Sequence, residues 1–470
     1  MTDFLIKDIR DGLTGAPAGP DARFSGALRV RGGRIAAMGA LTPEPGERII
    51  DARDAVVCPG LVNTHHHLFQ SVLKAIPAGM NVPLDPWLMH VPFTWWPHLD
   101  ADTFRTAATI GMTELALSGT TTVCDHHYVY SDRYDFDPNE ILFEVAARFG
   151  MRFVLARGGG TKGRLFNDPA VPPVPVETLD RYLDGVLAAA SRWHDPAPNA
   201  MTRVVMGPNT PVFNFDPREL RELAQTARGA GLRLHAHLSE NRAYVDYTLS
   251  HYGQRPVPWL VGHDMLGPDV WFAHLVEIDA DEIALLASTG TGMAHCPQAN
   301  ARLGSGVAPA TALHDAGGVV SLAVDGAGAN EAAEMGAALY SAFCLHRASK
   351  GATVLAAETV LHWATMGGAR VLGLGAVGQL APGMAADIAI IDLSAPRYMG
   401  QHDAAIGPVT SGGGLHIRHS FVAGREIVRN GQVPDLDLAE LSAQARKTTQ
   451  DLIKRQQGER APDRACAAQT

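Results

Sequence analysis

Eight short apolar runs, each followed by a polar or glycine-rich turn, constrain this chain more than any other feature. Most of the segments between them carry the apolar spacing of a helix, as in ADTFRTAATIGMTELALSG and PRELRELAQTARGAGL. Eight repeats of strand, helix and parallel strand predict an α/β protein with a (β/α)8 TIM-like barrel. An open doubly wound sheet would also alternate, but eight evenly spaced units favour closure. The runs are VVCPGLV, TTTVC, RFVLA, RVVM, LRLHAHL, VWFAHLV, GMAHC and VVSLAV.

Short strands and turns mark both ends of the chain. The segments LIKDI, ALRVRGGRIAAMG and RIIDARDAVV have the pattern of strands, and the Gly32-Gly33 pair indicates a hairpin. The pattern returns late in ADIAIIDL and FVAGREIVRNGQV. We predict that the two ends pair into one small sheet domain, and two separate β-rich segments are the alternative. The predicted domains are residues 1–57 with 380–436 for the composite sheet domain, 58–379 for the barrel, and 437–470 for a C-terminal helix and frayed tail.

Composition excludes several classes of protein. With 46% apolar and 19% charged residues among 470, the chain is expected to be globular and not disordered. A net charge of −10 argues against nucleic acid as a partner. Five cysteines are too few for a disulfide scaffold, and the absence of a secretory signal or a long apolar run predicts a cytoplasmic protein that does not span a membrane.

Histidines cluster at the ends of the first and fifth predicted barrel strands. In His65-His66-His67, the first and third side chains face one side of the strand. The fifth strand ends in HAHLSE, which places His237 at the strand end and Glu240 in the turn beyond it. Imidazoles that point into a barrel mouth can bind one divalent metal.

Two further polar residues end the sixth and eighth predicted strands. His274 closes WFAHLVE, and Asp325 lies in LAVDGAG. Active sites of such barrels lie at the carboxyl ends of the strands. Together with the histidines above, these residues predict a mononuclear metal site.

These motifs resemble those of the amidohydrolase superfamily, and in particular its cytosine/guanine-deaminase-related branch. The resemblance rests on PGLVNTHHH, HAHLSE, FAHLVE, GMAHCPQAN and VDGAG, and it extends over nearly the whole chain. It implies a barrel with a β-sandwich built from both chain ends. Residue by residue, it implies metal ligation by His65, His67, His237 and Asp325, and catalytic roles for Glu240, His274 and Asp325.

The same resemblance bears on the metal. Binuclear members need a bridging lysine after strand four, where this chain has RVVMGPNT, and Lys162 follows strand three instead. We therefore expect one metal ion. Zinc fits nitrogen and oxygen ligands at an open site, and Fe²⁺ suits the same donors.

The predicted mechanism follows from these groups. A bound metal lowers the pKa of water from about 16 to roughly 7, which gives hydroxide at neutral pH. Asp325 would accept the water's proton, and His274 would orient and polarise the hydroxide. Glu240 would protonate the ring nitrogen beside the amino-bearing carbon and then the departing ammonia.

Three residues are candidates for substrate binding. Gln70, in HHHLFQ, can pair with a lactam edge, and HHHxxQ resembles the oxopurine and oxopterin deaminases. Arg157 could face a substrate oxygen or form a salt bridge. Trp95 lies in the Pro- and Trp-rich segment 76–100, a predicted lid or subunit interface, and could stack on a flat ring. Such aromatic residues make a homo-oligomer plausible.

Two stretches sharpen the substrate prediction. RFVLARGGGTKGR and PRYMGQHDAAIGPVTSGG resemble isoxanthopterin deaminases, and 8-oxoguanine deaminases somewhat less. The predicted reaction is hydrolytic deamination of a 2-amino-4-oxo fused heterocycle, isoxanthopterin or a related oxopterin. The alternatives are an 8-oxoguanine or guanine deaminase, and an s-triazine dechlorinase or amine hydrolase that uses the same site. Cyclic amide hydrolysis is disfavoured by the missing lysine, and a non-catalytic role by the presence of every expected ligand.

Overall fold

The computed structural model describes residues 3–163 and 174–458. The predicted frayed tail lies beyond residue 458 and so falls outside the described residues, whereas the helix before it is present. No described helix has the length and apolar character needed to cross a bilayer. The strands, in chain order, are β1 Phe4–Leu13, β2 Arg23–Arg31, β3 Arg34–Gly39, β4 Arg48–Asp51, β5 Ala55–Pro59, β6 Leu61–His66, β7 Thr120–His127, β8 Arg152–Gly159, β9 Thr202–Pro208, β10 Leu234–Leu238, β11 Val270–His274, β12 Gly292–His295, β13 Val319–Leu322, β14 Ile388–Asp392, β15 Ile417–Val422 and β16 Arg425–Arg429.

Strands β6 to β13 form a parallel sheet in which each strand pairs with the next along the chain. Hydrogen bonds between the first and last of these strands close it. The amide of Asp325 donates to the carbonyl of His65 at 3.1 Å, and the hydroxyl of Thr64 donates to the carbonyl of Leu322 at 3.1 Å. The predicted eight-stranded barrel is confirmed.

The helices cover the barrel and connect its strands. Two of them start with a capping box, in which Asp216 pairs with Glu219 and Asp279 with Glu282, so the backbone N–H groups at these helix starts find acceptors. The helices are α1 Leu84–Leu88, α2 Ala101–Leu117, α3 Pro138–Phe149, α4 Leu179–Trp193, α5 Pro211–Asn214, α6 Pro217–Gly229, α7 Arg242–Tyr252, α8 Pro256–Val261, α9 Ala280–Thr289, α10 Pro297–Arg302, α11 Ala310–Asp315, α12 Ala327–Asn330, α13 Met335–Lys350, α14 Ala357–His362, α15 Gly368–Leu372, α16 Gly407–Thr410 and α17 Leu438–Gln456.

The second sheet takes its strands from both ends of the chain. Strand β14 pairs antiparallel with β5, and this pairing joins β1–β5 to β14–β16. The rings of Phe4 and Phe421, more than 400 positions apart in the sequence, pack with centroids 4.6 Å apart. The hairpin between β2 and β3 turns at Gly32 and Gly33, both with positive φ, as the glycine pair predicts.

A buried ion pair ties the second sheet to the barrel. Arg152, at the start of β8, donates from Nε to Oδ2 of Asp387 at 2.6 Å and from Nη2 to Oδ1 at 2.9 Å. Both side chains are buried, and the carbonyl of Asp387 also accepts from the amide of Gly60, just before β6. A two-point contact of this kind fixes the orientation of the arginine against the sheet.

Candidate active site

Polar side chains from β6, β10 and the turn after β13 converge at the carboxyl end of the barrel. Nε2 of His67 lies 3.2 Å from Nε2 of His237. Oδ1 of Asp325 lies 3.5 Å from Nε2 of His65 and 3.4 Å from Nε2 of His67. The ring of His66 turns the other way, and its Nδ1 donates to the carbonyl of Asp325. The strand alternation read from the sequence therefore places His65 and His67 on one side.

The hydrogen bonds of His67 and His237 leave the same atom, Nε2, free in each ring. Nδ1 of His67 donates to the carbonyl of His126 at 2.7 Å, and Nδ1 of His237 donates to the carbonyl of Asn209 at 2.8 Å. A carbonyl can only accept, so each of these Nδ1 atoms carries the proton. In a neutral imidazole, Nε2 is then a lone-pair donor.

The cluster has the chemistry of a metal site. Nε2 of His65 is buried and has no hydrogen-bond partner within the described residues. Two imidazole lone pairs 3.2 Å apart, as in His67 and His237, repel unless a cation lies between them. Ligand atoms of His65, His67 and Asp325 lie within 4.8 Å of one another, as do those of His65, His237 and His274. Three imidazoles and a carboxylate suit a divalent ion such as zinc.

Burial keeps these imidazoles neutral. It lowers the pKa of His65, His67 and His237 well below the ordinary histidine value, and the neighbouring imidazoles lower it further. Burial also raises the pKa of Asp325, although the nearby His274 and the amide of Gly326 act in the opposite direction. Neutral imidazoles are the form that binds a metal, and the positive charge of an ion would favour the ionised carboxylate.

Glu240 and His274 lie beside this cluster. Oε2 of Glu240 is 3.5 Å from Nε2 of His274, and both side chains are almost fully buried. Nδ1 of His274 lies 2.9 Å from Oδ1 of Asn300, which holds the ring with Nε2 towards the carboxylate. His274 and Asp325 both have left-handed backbone, with φ of 73° and 66°. Such strained backbone at non-glycine residues is common at functional sites.

The cluster borders a cavity at the carboxyl end of the barrel. Polar residues line it on the metal side, and apolar and aromatic residues line the remainder. The lining residues are His67, Gln70, Leu84, Trp87, Leu88, Phe93, Tyr128, Val174, Asn209, Thr210, Asn214, His237, Glu240, Tyr244, His274 and Asp325.

Of the predicted substrate-binding residues, Gln70 lines this cavity. Its Nε2 donates to the hydroxyl of Tyr128 at 3.3 Å. Burial raises the pKa of Tyr128, so the hydroxyl stays protonated. Tyr128 also packs edge-on against the ring of His67, with centroids 5.0 Å apart. This pair therefore forms the wall of the cavity next to the candidate metal ligands.

Arg157 and Trp95 are not among the described residues that line this cavity. Arg157 forms a buried ion pair with Glu177, from Nη2 to Oε1 at 2.8 Å, and its guanidinium lies 3.8 Å from the ring centre of Tyr130. Of the two roles considered for Arg157, the structure shows the salt bridge. Trp95 packs half-buried against the hydrophobic core, because it follows the π-helical turn Met89–Phe93 instead of lying on α1.

Trp87, on α1, occupies the position expected of Trp95. It lines the cavity, and its Nε1 donates to the carbonyl of Gly328 at 2.9 Å. Other residues of segment 76–100 share this wall, namely Leu84, Leu88 and Phe93. The segment therefore covers the cavity, as a lid would, which is one of the two roles predicted for it. The sequence does not show that Trp87 lines the cavity and Trp95 does not. The difference depends on how the short helical turns of this segment pack.

Several lining residues were not identified from the sequence. Asn209 and Thr210 directly follow β9, and Tyr128 directly follows β7. Their positions at strand ends are the signal that could have found them. Asn214 and Tyr244 lie on helices after the strands and carried no such signal. Lys162 pairs with Asp216 at the surface, so among the described residues it does not reach the cluster.

Comparison with known proteins places this site in a family. The pattern of the amidohydrolase family matches residues 56–427, most of the chain. The chain belongs to the amidohydrolase family. The resemblance read from the motifs is thereby confirmed.

Individual relatives support the same assignment. An isoxanthopterin deaminase from an unknown prokaryotic organism is 48% identical over 468 residues, which cover 96% of this chain and 97% of that protein. An 8-oxoguanine deaminase from Pseudomonas aeruginosa is 35% identical over 433 residues, 91% of this chain and 95% of the relative. A crystal structure of an atrazine chlorohydrolase mutant from Arthrobacter aurescens, complexed with zinc and atraton, superposes with a TM-score of 0.87 at 29% identity and covers 95% of this chain and 100% of that one.

The class of enzyme follows from the family and the relatives. This amidohydrolase is a hydrolase of C–N bonds with deaminase or amidohydrolase activity on heterocycles. The family depends on metal ions, and the His/Asp cluster supplies a matching set of ligands.

Proposed function

We propose that this amidohydrolase deaminates a 2-amino-4-oxo fused heterocycle, isoxanthopterin or a related oxopterin, with one zinc ion bound by His65, His67, His237 and Asp325. The observation that carries the proposal is the convergence of these four side chains with Glu240 and His274 at one cavity. The similarity to an isoxanthopterin deaminase at 48% identity supports the choice of substrate. The expected homo-oligomer stays a prediction.

The metal would supply a Lewis acid that lowers the pKa of water, so that hydroxide is available at neutral pH. Residues of the chain perform the other steps of the reaction. Asp325 is placed to accept a proton from the attacking water. His274 is held by Asn300 with Nε2 towards the reaction centre, where Nε2 of the neutral ring can accept a hydrogen bond from the attacking water and so orient it.

Glu240 carries the proton to the substrate. An amino-bearing ring carbon becomes electrophilic when the adjacent ring nitrogen gains a proton, and Glu240 is the carboxyl group of the cavity wall that lies outside the ligand set. After water adds to the carbon, a proton passes to the amino group, and the C–N bond breaks to release ammonia. The overall change is replacement of the amino group by oxygen at the cost of one water. Such acid–base assistance contributes about 10²–10⁴-fold in rate.

The cavity walls suit a flat bicyclic ring. Trp87, Phe93 and Tyr244 provide aromatic surface, and Gln70, Tyr128 and Asn209 provide hydrogen-bonding groups. Oδ1 of Asn209 accepts from the amide of Gly159 at 3.2 Å, which fixes the side chain at the cavity wall. A wall that combines apolar faces with a few polar groups matches a heterocycle with ring oxygens.

An 8-oxoguanine deaminase is the second candidate, because that relative covers most of the chain at 35% identity and the substrate has the same aminated oxo ring. The test is ammonia release by the zinc-loaded protein from isoxanthopterin, 8-oxoguanine, guanine and cytosine. We expect the highest kcat/KM with isoxanthopterin. A lack of turnover of every 2-amino-4-oxo heterocycle would contradict the proposed substrate class.

A further inference from the structure

His235 is a fully buried histidine that the reaction scheme above does not use. It lies two residues before His237 on β10, so both side chains point to the same side of the strand. Its ring stacks on Trp271 of β11, with centroids 4.5 Å apart and an interplanar angle of 18°. The packing leaves His235 at 0% exposure, between the candidate metal ligands and the barrel interior.

The hydrogen bonds of His235 determine which of its nitrogens carries the proton. Its Nδ1 lies 3.0 Å from the carbonyl oxygen of Trp271, which can only accept. Nδ1 therefore carries a proton, and in the neutral ring Nε2 is an acceptor. A doubly protonated ring would be a charge at a fully buried position, and the partners of His235 among the described residues are the His65 ring and the carbonyl of Trp271, not a carboxylate.

Nε2 of His235, as an acceptor, determines which nitrogen of the neighbouring His65 ring carries the proton. Its Nε2 lies 2.8 Å from Nδ1 of His65. Nδ1 of His65 must therefore donate, and Nε2 of His65 presents its lone pair to the cluster, where it has no other hydrogen-bond partner. Trp271 also donates from Nε1 to the carbonyl of Thr64 at 3.2 Å, so the chain of contacts returns to β6.

We propose that His235 is a positioning residue that holds His65 in the tautomer and orientation required to bind the metal. This inference rests on the proposed metal site. His67 and His237 obtain the same orientation from main-chain carbonyls, which no side-chain substitution removes. Of the three imidazoles proposed as ligands, His65 is the one whose Nδ1 bonds to a side chain. A partner of this kind typically changes metal affinity by about 10–100-fold.

Two substitutions separate this role from general packing. In His235→Gln, the side-chain oxygen can reach the position of the lost Nε2 and accept from Nδ1 of His65. In His235→Asn, the same amide group is on a side chain too short to reach this position. We expect zinc affinity, measured by chelator competition, to stay within about threefold in the glutamine variant and to fall about 10–100-fold in the asparagine variant. Thermal unfolding of the metal-free proteins reports their folding independently of activity.

A matched control uses another buried histidine pair. Nε2 of His346 lies 3.1 Å from Nε2 of His295, and both are buried away from the cavity lining. The substitution His346→Asn should leave zinc affinity unchanged while removing a comparable contact. The same loss of zinc affinity in this control as in His235→Asn would identify a general packing effect and overturn the proposal.

The remaining outcomes separate the two proposals. If the wild-type protein binds no zinc, the proposed function fails first. If the wild-type protein binds zinc and both His235 variants bind it as tightly, the proposed function stands and the positioning role is wrong. An equal and large loss in both variants would indicate that His235 is itself a ligand, and it would also overturn the inference.

Discussion

Nε2 of His274 lies 3.5 Å from Oε2 of Glu240, and the two residues come from neighbouring strand ends of the barrel. Nδ1 of His274 hydrogen-bonds to Oδ1 of Asn300, and the backbone of His274 has a positive φ. The relationship places a carboxyl group next to a fixed imidazole, beside His65, His67, His237 and Asp325. In the proposed mechanism, the proton donor to the substrate and the group that orients water are therefore separate from the four proposed metal ligands.

The first prediction concerns Glu240. The substitution Glu240→Gln removes the proton donor but keeps the size of the side chain, so kcat should fall about 10²–10⁴-fold. Zinc content, measured by atomic absorption, should stay at the wild-type value because Glu240 is not a ligand. Glu144→Gln, at an exposed position of α3, serves as the control and should keep full activity. Near-normal turnover in zinc-loaded Glu240→Gln would rule out this mechanism.

The second prediction concerns the metal. Removal of zinc by a chelator should abolish activity and lower the free energy of unfolding, because an ion that binds only the folded state stabilises it by about 2.7 kcal/mol at 100 times Kd. His237→Ala should lose most of this zinc-dependent stabilisation. The measurement is urea unfolding at several free zinc concentrations. Stability that does not change with zinc in the wild-type protein would count against the site.

The barrel and the convergence of the His/Asp cluster were predictable from the sequence because both depend on local patterns. A strand shows its alternation in its own residues, and HHH, HAHLSE and VDGAG mark three strand ends directly. That the two chain ends share one sheet was predictable for the same reason, since both ends carry strand patterns; the strands that meet, β5 and β14, were not predictable.

The cavity wall was less predictable because it depends on long-range packing. Arg157 lies near the carboxyl end of β8, as Tyr128 lies next to the end of β7, yet Glu177 and Tyr130 hold Arg157 outside the cavity. Nothing in the sequence around Arg157 shows that Glu177 is within reach, since 20 residues separate them. Side-chain partners at such separations are fixed only when the helices and loops pack.

The third prediction concerns the cavity wall. Tyr128→Phe removes the hydroxyl that accepts from Gln70, and the loss of one hydrogen bond of about 1 kcal/mol should raise KM about fivefold with a smaller effect on kcat. Tyr130→Phe is the matched control, because its hydroxyl donates to Asn139 at 2.7 Å outside the cavity lining. Steady-state kinetics with the best substrate of the panel would compare the two. Equal effects in both variants would contradict a substrate-binding role for Tyr128.

The fourth prediction separates structure from function at Arg157. Because the ion pair with Glu177 is buried, Arg157→Met should lower the free energy of unfolding by about 3–5 kcal/mol, since it leaves the buried carboxylate with only the longer contact to the exposed Arg181 at 3.9 Å. The double variant Arg157→Met/Glu177→Met should recover part of this loss. KM of the folded single variant should stay close to wild type. A large rise in KM with little loss of stability would instead place Arg157 in substrate binding.

The last prediction concerns pH and the second sheet. Burial of Glu426 opposes its ionisation, but hydrogen bonds from His419, Arg429 and Arg48 outweigh it and lower the pKa from 4.5 to about 2. The three contacts come from β15, β16 and β4, at 2.8, 2.7 and 2.9 Å. When the pH falls below 4.5, the unfolded chain takes up a proton at this position before the folded protein does.

The stabilisation by Glu426 is therefore complete above pH 4.5 and is lost as the pH falls towards about 2. With allowance for solvent screening of a partly exposed network, it amounts to about 1–2 kcal/mol. Glu426→Gln should unfold more easily than wild type at pH 7 by this amount, and the difference should shrink steadily below pH 4.5. Urea unfolding across this pH range measures both. A protonated glutamate and a glutamine are both neutral, so a contribution of charge must fade at low pH. A difference in unfolding free energy between the two proteins that stays constant down to pH 2.5 would show that Glu426 contributes through packing and not through its charge.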